Sequence, residues 1–385
     1  MPKGMEHDCI YLDNNATTPL LPAVWETMRP YLTTVYGNPA SAHQAGRRAR
    51  RALEDAREQI AALLDAFADE VVFTSGATEA NNLAVFGLSA APSAHLLASP
   101  LEHPSVAEPL RQLAAAGCSV AYLPVDQEGR VPVDALSELL RDETRLVSVQ
   151  FANHETGTIQ PIRALVERLD RRATFHCDAV QAVGKIPVRF HALGVDALTL
   201  SAHKFHGPKG VGALLLKRGV KLRPLTYGGH QQQGRRPGTE SVALAVGLAA
   251  ALTAAHAEME SRRETVLCLR TRFLTRLQQE VAPVVVNGPL TDGVPHTLNL
   301  SFPGLKADAL LMNLDLAGVA CSTGSACSSG SLLPSPVLQA LGVADDLLHS
   351  AMRFSFSALL TDAEIDEAAQ RVGSVVTRLR TPEKK

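Results

Sequence analysis

The chain has 385 residues, of which 46% are hydrophobic and 20% charged, as is ordinary for a globular enzyme. Its 37 basic and 39 acidic residues leave a formal net charge of −2, which argues against binding to nucleic acid or a membrane surface through overall charge. Single hydrophobic cores stop growing at about 250–300 residues. We therefore expect one large domain and one smaller domain.

Neither export nor membrane insertion is predicted. The N-terminal residues include acidic side chains where a signal peptide would have an apolar run. The longest apolar segment, Val242 to Ala255, is too short to span a bilayer and is interpreted as a buried helix. We expect a cytoplasmic protein. Six cysteines without a C-x-x-C pair indicate neither a disulfide scaffold nor a structural zinc site, so we expect no metal.

Helices and strands alternate along the first two thirds of the chain. Leu53, Ala56 and Ile60 recur at helical spacing and predict a helix that begins near residue 43. A short β-branched and aromatic run at 71–74 is followed by Ser75-Gly76 and a helix-like pattern. Further strands are predicted at 145–153, 173–180, 196–204 and 211–219, with a helix at 162–172. This alternation predicts an α/β fold with a largely parallel sheet covered on both faces.

The pattern changes after about residue 256. An amphipathic helix at 264–281, strands at 282–289 and 295–304, and a closing helix at 363–380 predict a smaller α+β unit. We interpret residues 16–256 as the large domain. Residues 1–15 and 257–385 together form the small domain in this interpretation.

Ligands of open α/β sheets bind at the carboxyl ends of strands. The loops of interest therefore follow Thr74, Gln150, Phe175 and Leu200. After Thr74, the segment SGATEANN places Ala77 and Thr78 at a helix N-terminus, where free N–H groups favour an anion such as phosphate. A threonine at this position is also an ordinary helix cap.

The stretch SAHKFHGPKG, residues 201–210, places Lys204 at a strand end beside Ser201 and His203. Another strand ends at Asp178, which could equally be a turn acid. Together, a phosphate cradle, an acid and a lysine meet the needs of pyridoxal 5'-phosphate (PLP). The lysine holds the aldehyde as an imine, and the acid keeps the pyridine nitrogen protonated. Lys209, between proline and glycine, is interpreted as an ordinary turn lysine.

Seven segments resemble, in order, those of NifS/IscS-like cysteine desulfurases of group I, which are fold-type I PLP enzymes. They are YLDNNATTPL, YGNPASAH, TSGATEANN, EHPSV, HCDAVQAVGK, SAHKFHGPKG and GSACSSGS. The resemblance extends from about Tyr11 to Thr361. It implies a large domain with a mostly parallel sheet and a smaller α+β domain that contains the loop of the catalytic cysteine.

The resemblance also implies roles for individual residues at the cofactor. The phosphate would be held by Ala77, Thr78, Ser201, His203 and, from a second subunit, Thr239. Asp178 would pair with the ring nitrogen and Gln181 would reach the ring hydroxyl. His103 would stack on the ring and exchange protons. Histidine at 154 stands where the family usually has an asparagine that contacts the cofactor, so that contact by His154 stays open.

At the substrate, the resemblance implies that Asn38 and Arg353 receive the carboxylate, for which a guanidinium fork is suited. Cys327 would be the nucleophile, whereas Cys321, after an apolar run, is interpreted as a packed thiol or as a second sulfur carrier. The implied reaction converts L-cysteine to L-alanine and leaves a persulfide on Cys327. The expected partner is a sulfur-acceptor protein, such as an iron–sulfur scaffold, and the expected oligomer is a homodimer.

Other functions remain open at this point. Selenocysteine lysis or aminotransfer would use the same fold-type I site, although an aminotransferase would not need the GSAC segment. From a different class, Cys321 and Cys327 could belong to a metal or sulfur carrier without turnover. The acceptor could serve nitrogenase clusters, general cluster assembly or tRNA thiolation.

Overall fold

The computed structural model describes residues 9–89, 93–324 and 334–381. In these ranges the strands are β1 Ile10–Tyr11, β2 Val71–Thr74, β3 His95–Ala98, β4 Ser119–Tyr122, β5 Thr144–Ser148, β6 Thr174–Asp178, β7 Ala197–Ser201, β8 Gly212–Leu216, β9 Val285–Val286, β10 Thr297–Ser301, β11 Val319–Ala320 and β12 Ala351–Ser355. The helices are α1 Pro22–Thr33, α2 Gln44–Leu63, α3 Ala77–Leu88, α4 Pro104–Ala115, α5 Val133–Leu139, α6 Ile162–Leu169, α7 Phe190–Leu193, α8 Val242–Ala257, α9 Met259–Glu280, α10 Ala307–Leu316, α11 Pro336–Ala340, α12 Asp345–Leu348 and α13 Asp362–Arg380.

The large sheet has seven strands in the order β2-β8-β7-β6-β5-β3-β4. Its pairs are parallel except those made by β8, which is antiparallel to both β2 and β7. The predicted, largely parallel α/β sheet is confirmed. Strand β8 departs from the parallel pattern because the connection from Ser201 to Gly212 is too short for a crossover, which needs a dozen or more residues.

Both faces of this sheet are covered, because successive side chains of a strand point to opposite sides. In β2, Val71 and Phe73 join a core that includes residues of α2 and α8. Val72, between them, joins a second core formed with α3 and α4. This burial fixes the direction in which each strand delivers its last side chain, and so it positions the loops that follow.

A separate core joins the N-terminal segment to the C-terminal part of the chain. Ile10 and Leu12 pack with Phe273 of α9 and Phe354 of β12. Strand β1 pairs in parallel with β11, and β12, β10 and β9 form a three-stranded antiparallel sheet. These contacts support our proposal of domains at 16–256 and at 1–15 with 257–385.

Helix α8 contains the long apolar segment and is mostly buried, with Val242, Leu248 and Leu252 in the core. Of the helices in the described ranges, none alone has the length and apolar composition needed to cross a bilayer. The pair α8 and α9, bent by 72°, meets these criteria only when the two are taken together.

Candidate active site

A cavity of about 580 Å³ opens at the carboxyl ends of the parallel strands. Side chains from the loops after β2, β3, β5, β6 and β7 meet there, together with one from β12. The sequence-predicted residues in its wall are Ala77, Thr78, His103, His154, Asp178, Gln181, Ser201, His203, Lys204 and Arg353. The structure thus brings together side chains from both proposed domains.

Lys204 reaches the cavity from a 3₁₀ turn, Ala202–Lys204, directly after β7. Its Nζ donates to the carbonyl oxygens of Asn15 at 2.6 Å and Ala16 at 2.9 Å. The N-terminal segment after β1 therefore holds this ammonium group at the cavity wall. A lysine at this position can form an imine with an aldehyde that enters the cavity.

Asp178 is the last residue of β6 and is buried. One carboxylate oxygen accepts from Asn81 Nδ2 at 2.7 Å, and the other accepts from the Val180 N–H at 3.0 Å. Glu102 is a second buried carboxyl group nearby. Burial, followed by the charge of Asp178, raises the pKa of Glu102 well above its usual range. The Asp178 carboxylate, which is held by Asn81 and by the Val180 N–H, is suited to a cationic partner such as a protonated pyridine nitrogen.

Gln181 follows Asp178 in the same loop, and its amide orientation is fixed by neighbours. Lys185 Nζ donates to Gln181 Oε1 at 2.6 Å, and Gln181 Nε2 donates to the Asn15 carbonyl at 3.1 Å. Lys185 also lies 3.1 Å from His296 Nε2. Because the amide oxygen is occupied by Lys185, the side chain presents its NH₂ group as the remaining donor. This end suits an acceptor such as a ring hydroxyl.

The part of the cavity wall formed by the start of α3 and by Ser201 fits an anion. Helix α3 begins there, and its N-cap residue is Gly76, which has no side chain that could cap the helix. The Ser201 hydroxyl is buried and has no hydrogen-bond partner among the residues that the structure describes. A buried hydroxyl without a partner beside a helix N-terminus is explained by a phosphate that accepts from both. The residues present therefore fit the phosphate of PLP.

His203 also lines the cavity and is held by its neighbours in the neutral form. Its Nδ1 is 3.1 Å from Thr17 Oγ1. Burial, followed by the charges of Lys204, Lys185 and Lys209, lowers the pKa of His203 to about 4. A neutral imidazole in this position can donate one N–H to a phosphate without adding a buried charge.

Two histidines, His103 and His154, line the cavity and contact each other. The rings of His103 and His154 meet edge to face with centroids 5.2 Å apart. Burial lowers the pKa of both; Lys204 and Arg353 lower them further, whereas Asp178 opposes the shift at His103. Both imidazoles are therefore neutral at neutral pH. His154 occupies the place of the family's asparagine at the cavity, although its Nδ1 has no hydrogen-bond partner among the described residues.

Arg353 enters from β12 and is 4% exposed. One terminal nitrogen donates to Asp13 Oδ1 at 2.7 Å, and the other donates to the His154 carbonyl at 3.1 Å. Its Nε is buried without a partner in the described part of the chain. The guanidinium is thus held by Asp13 and retains a donor for a further acceptor.

Two predicted residues lie outside this cavity wall. Asn38 is exposed in the loop between α1 and α2, where its side-chain oxygen accepts from the Ala40 N–H at 2.9 Å. Thr239 is exposed in the segment before α8. Cys327 lies outside the described residues. Cys321 follows β11 and packs against the C-terminal core, where burial raises the pKa of its thiol to about 12.

Sequence reasoning missed several residues of the wall. Lys209, interpreted above as a turn lysine, lines the cavity, and its charge acts on His203. Asn15, Thr17 and Ser105 also line it. The signal for Asn15 and Thr17 was present, since both lie in the quoted segment YLDNNATTPL. Within the described ranges, no group of three or more His, Cys, Asp or Glu side chains could hold a metal ion.

Comparisons with known proteins show which family the chain resembles. The model of the aminotransferase class-V family matches residues 10–368. The cysteine desulfurase IscS of Dictyoglomus turgidum is 44% identical over 376 residues, which cover 97% of this chain and 95% of the relative. The solved structure of a NifS-like protein superposes with a TM-score of 0.91 at 35% identity, covering 96% of this chain and 100% of that one. The structure of SspA in complex with cysteine has a TM-score of 0.81 at 32% identity, covering 90% of this chain and 98% of that one.

The chain belongs to the aminotransferase class-V family and has the α/β architecture of fold-type I PLP enzymes. Its relatives match it along nearly their whole length. It is a PLP-dependent cysteine desulfurase.

Proposed function

We propose that this enzyme converts L-cysteine to L-alanine and retains the sulfur as a persulfide on Cys327. The sulfur then passes to an acceptor protein such as an iron–sulfur scaffold, as the name of its IscS relative suggests. The observation that carries this proposal is the cavity in which Lys204, Asp178 and the partnerless Ser201 hydroxyl meet. SspA, whose structure contains cysteine, supports the choice of substrate.

Within this proposal, different residues of the cavity wall bind the different groups of PLP. Lys204 binds the aldehyde, Asp178 the ring nitrogen, and the NH₂ group of Gln181 the ring hydroxyl. The phosphate would be held by Ala77, Thr78, Ser201 and His203, and His154 would contribute to the wall of the same cavity. When bound, PLP supplies an electron sink that makes the Cα proton of the substrate removable.

Arg353 and Asn38 are the proposed ligands of the substrate carboxylate. Arg353 is buried at the cavity wall, and its orientation is fixed by Asp13 and by the His154 carbonyl. A guanidinium that is already held in place loses little rotamer freedom on binding. Asn38 is exposed and must approach with its loop, so the structure supports Arg353 more directly than Asn38.

His103 is the proposed proton carrier, and Cys327 is the proposed nucleophile. The lowered pKa of His103 leaves it neutral, so its imidazole can accept a proton and later return it. The Cys327 thiolate forms an S–S bond to the substrate sulfur while the Cβ–S bond of the substrate breaks. The electron pair of that bond stays with the carbon skeleton, which takes up protons to become alanine. Positioned proton transfer of this kind contributes about 10²–10⁴-fold.

We also propose a cytoplasmic homodimer. The exposed position of Thr239 supports a second copy, because this residue can then reach a phosphate in the partner's cavity. Among the residues that the structure describes, the thiols of Cys9, Cys177, Cys268 and Cys321 form no disulfide, as is usual for a reducing compartment.

The direct test is alanine production by the purified enzyme. With L-cysteine and a reductant, alanine and sulfide should appear in equal amounts without any keto acid. A requirement for a keto acid would show an aminotransferase instead. Alanine from selenocysteine but not from cysteine would show a selenocysteine lyase. A persulfide without any alanine would show a sulfur carrier and would refute the proposed reaction.

A further inference from the structure

We propose that Ser105 and Asn81 are positioning residues that hold His103 in the tautomer with its proton on Nε2. This inference rests on the proposed role of His103 as proton carrier. The observation is a continuous row of hydrogen bonds from Asp178 through Asn81 and Ser105 to His103. These hydrogen bonds join three elements: the end of β6, the first turns of α3 and the start of α4.

The first link fixes the orientation of Asn81. Its Nδ2 lies 2.7 Å from Asp178 Oδ2 and 2.8 Å from Ser105 Oγ. A carboxylate can only accept hydrogen bonds, so the amide nitrogen, and not the amide oxygen, must face Asp178. The two hydrogens of this nitrogen then serve the two contacts. Asn81 is completely buried, so water does not compete for either bond.

The second link fixes the hydroxyl hydrogen of Ser105. Because Ser105 Oγ accepts from Asn81, its own hydrogen is available for His103 Nδ1 at 2.8 Å. The backbone N–H of Ser105 also donates to Nδ1, at 3.1 Å. Two donors directed at one nitrogen require that nitrogen to be unprotonated. The neutral imidazole therefore has its hydrogen on Nε2.

Burial keeps the imidazole of His103 neutral, and the charges around it act in both directions. Lys204 and Arg353 disfavour the imidazolium, Asp178 favours it, and the neutral ring of His154 lies at its edge. Burial is the largest influence and lowers the pKa of His103. In the neutral state, hydrogen bonds determine which of the two tautomers is more stable, and both bonds to Nδ1 come from Ser105. His103 also caps α4 through the Ser105 N–H, so a purely structural role of the serine must be tested separately.

The test combines ¹⁵N NMR with kinetics on the PLP-loaded enzyme containing ¹⁵N-histidine. His103→Gln identifies the His103 signals by their loss. In the native enzyme, Nδ1 should have the shift of an unprotonated nitrogen and Nε2 that of a protonated one. In Ser105→Ala, the two shifts should approach each other as the tautomers mix, and kcat/KM for cysteine should fall about 10-fold, the effect of losing one hydrogen bond.

The pH profile gives a second readout. The Ser105 hydroxyl stabilises unprotonated Nδ1, so its removal raises the pKa of His103. The limb of kcat/KM that reports this group should therefore move to higher pH by about half a unit to one unit. Ser105→Thr, which keeps the hydroxyl, should restore both readouts. Ser89→Ala removes another buried hydroxyl, at the end of α3, and should change neither.

A proton on Nδ1 of His103 in the native enzyme would overturn the inference. So would a Ser105→Ala enzyme with unchanged nitrogen shifts and an unchanged pH profile. These outcomes are distinct from failure of the proposed function. An enzyme that forms no alanine would refute the reaction but leave the nitrogen shifts as predicted, and full turnover in His103→Gln would refute only the role of His103 as proton carrier.

Discussion

Lys204 and Lys209 both line the cavity, and Lys204 is held there by the carbonyl oxygens of Asn15 and Ala16. We expect Lys204→Ala to lose turnover and the visible absorbance of bound PLP, because no imine can form with the protein. Lys209→Ala should keep the absorbance and most turnover at saturating PLP, with weaker cofactor binding, because it removes only a positive charge from the cavity wall.

Absorbance spectra and alanine assays at several PLP concentrations distinguish the two lysines. A Lys209→Ala enzyme that loses the absorbance while Lys204→Ala keeps it would show that the lysine was assigned wrongly.

The small domain contains both Cys321 and the proposed nucleophile Cys327, and only Cys321 lies among the described residues. Burial, followed by the charge of Asp13, raises the pKa of Cys321 to about 12, so its thiolate is rare at neutral pH. We expect Cys327→Ala to bind PLP and cysteine but to form no alanine above background. Cys321→Ala should keep most turnover.

Mass spectrometry after one exposure to cysteine checks this assignment, since a persulfide adds one sulfur to the chain. The added sulfur should be absent from Cys327→Ala and present in Cys321→Ala. The reverse result would identify Cys321 as the nucleophile.

Strand ends were sufficient to predict part of the site from sequence. Asp178 and Ser201 end recognisable strands and Lys204 lies just after one, so their meeting at one edge follows from parallel topology. Asn81 could not be found in this way, because its contact with Asp178 spans 97 positions of sequence. His103 and Arg353 were predicted only through the family resemblance, and their roles stay predictions.

Among the elements, the strands nearest the start of α4 were the hardest to predict. Strand β3 has only four residues, and β4 is partly exposed without a regular alternation of apolar and polar side chains. Such short runs do not differ from loops by periodicity. Pairing with β5 makes β3 a strand, and that pairing depends on tertiary contacts. The pattern of apolar residues therefore did not predict the loop between β3 and α4 that contains His103.

The loop after β6 packs tightly against the turn that holds Lys204, and one glycine makes this possible. Gly184 has a φ of +76°, and a Cβ there would lie 2.7 Å from the Cβ of Phe205, next to Lys204. Because the contacted atom is bonded directly to the backbone, it cannot move without the main chain. We expect Gly184→Ala to destabilise the fold by about 2–5 kcal/mol, through backbone strain and overpacking together.

Gly219→Ala is the matched control for this change. Gly219 has a φ of +85°, and a Cβ there would meet no atom within 4 Å. It should therefore cost only the strain of a left-handed alanine, about 1–2 kcal/mol. Urea unfolding followed by circular dichroism measures both. Equal losses in the two variants would contradict tight packing between the Gln181 and Lys204 loops.

At the scale of the whole molecule, the segment after β1 joins the two proposed domains at the cavity. The Asn15 side chain donates to Thr297 Oγ1 at 2.8 Å and to the His154 carbonyl at 3.1 Å. The Asn15 carbonyl accepts from Lys204 and from Gln181. One buried residue thus links β10 to the loops after β5, β6 and β7. The cavity forms only when residues from both ends of the chain meet.

A second copy of the chain can be detected through Thr239. Thr239 is exposed and lies outside its own cavity wall, so a phosphate contact by this residue requires a partner subunit. We expect Thr239→Ala to weaken PLP binding about 10-fold, by loss of one hydroxyl donor to a charged group. Mixed dimers then decide whose cavity Thr239 serves. In a dimer of one Lys204→Ala chain and one Thr239→Ala chain, contact in trans places both defects in one cavity and leaves the other intact. Contact within one chain leaves no intact cavity.

Two affinity tags isolate the mixed dimer, and alanine formation is measured at PLP concentrations that saturate the native enzyme but not the Thr239→Ala enzyme. We expect about half of the native activity per dimer; activity no higher than that of the Thr239→Ala homodimer would contradict the contact in trans, and a monomer in solution would contradict the dimer itself.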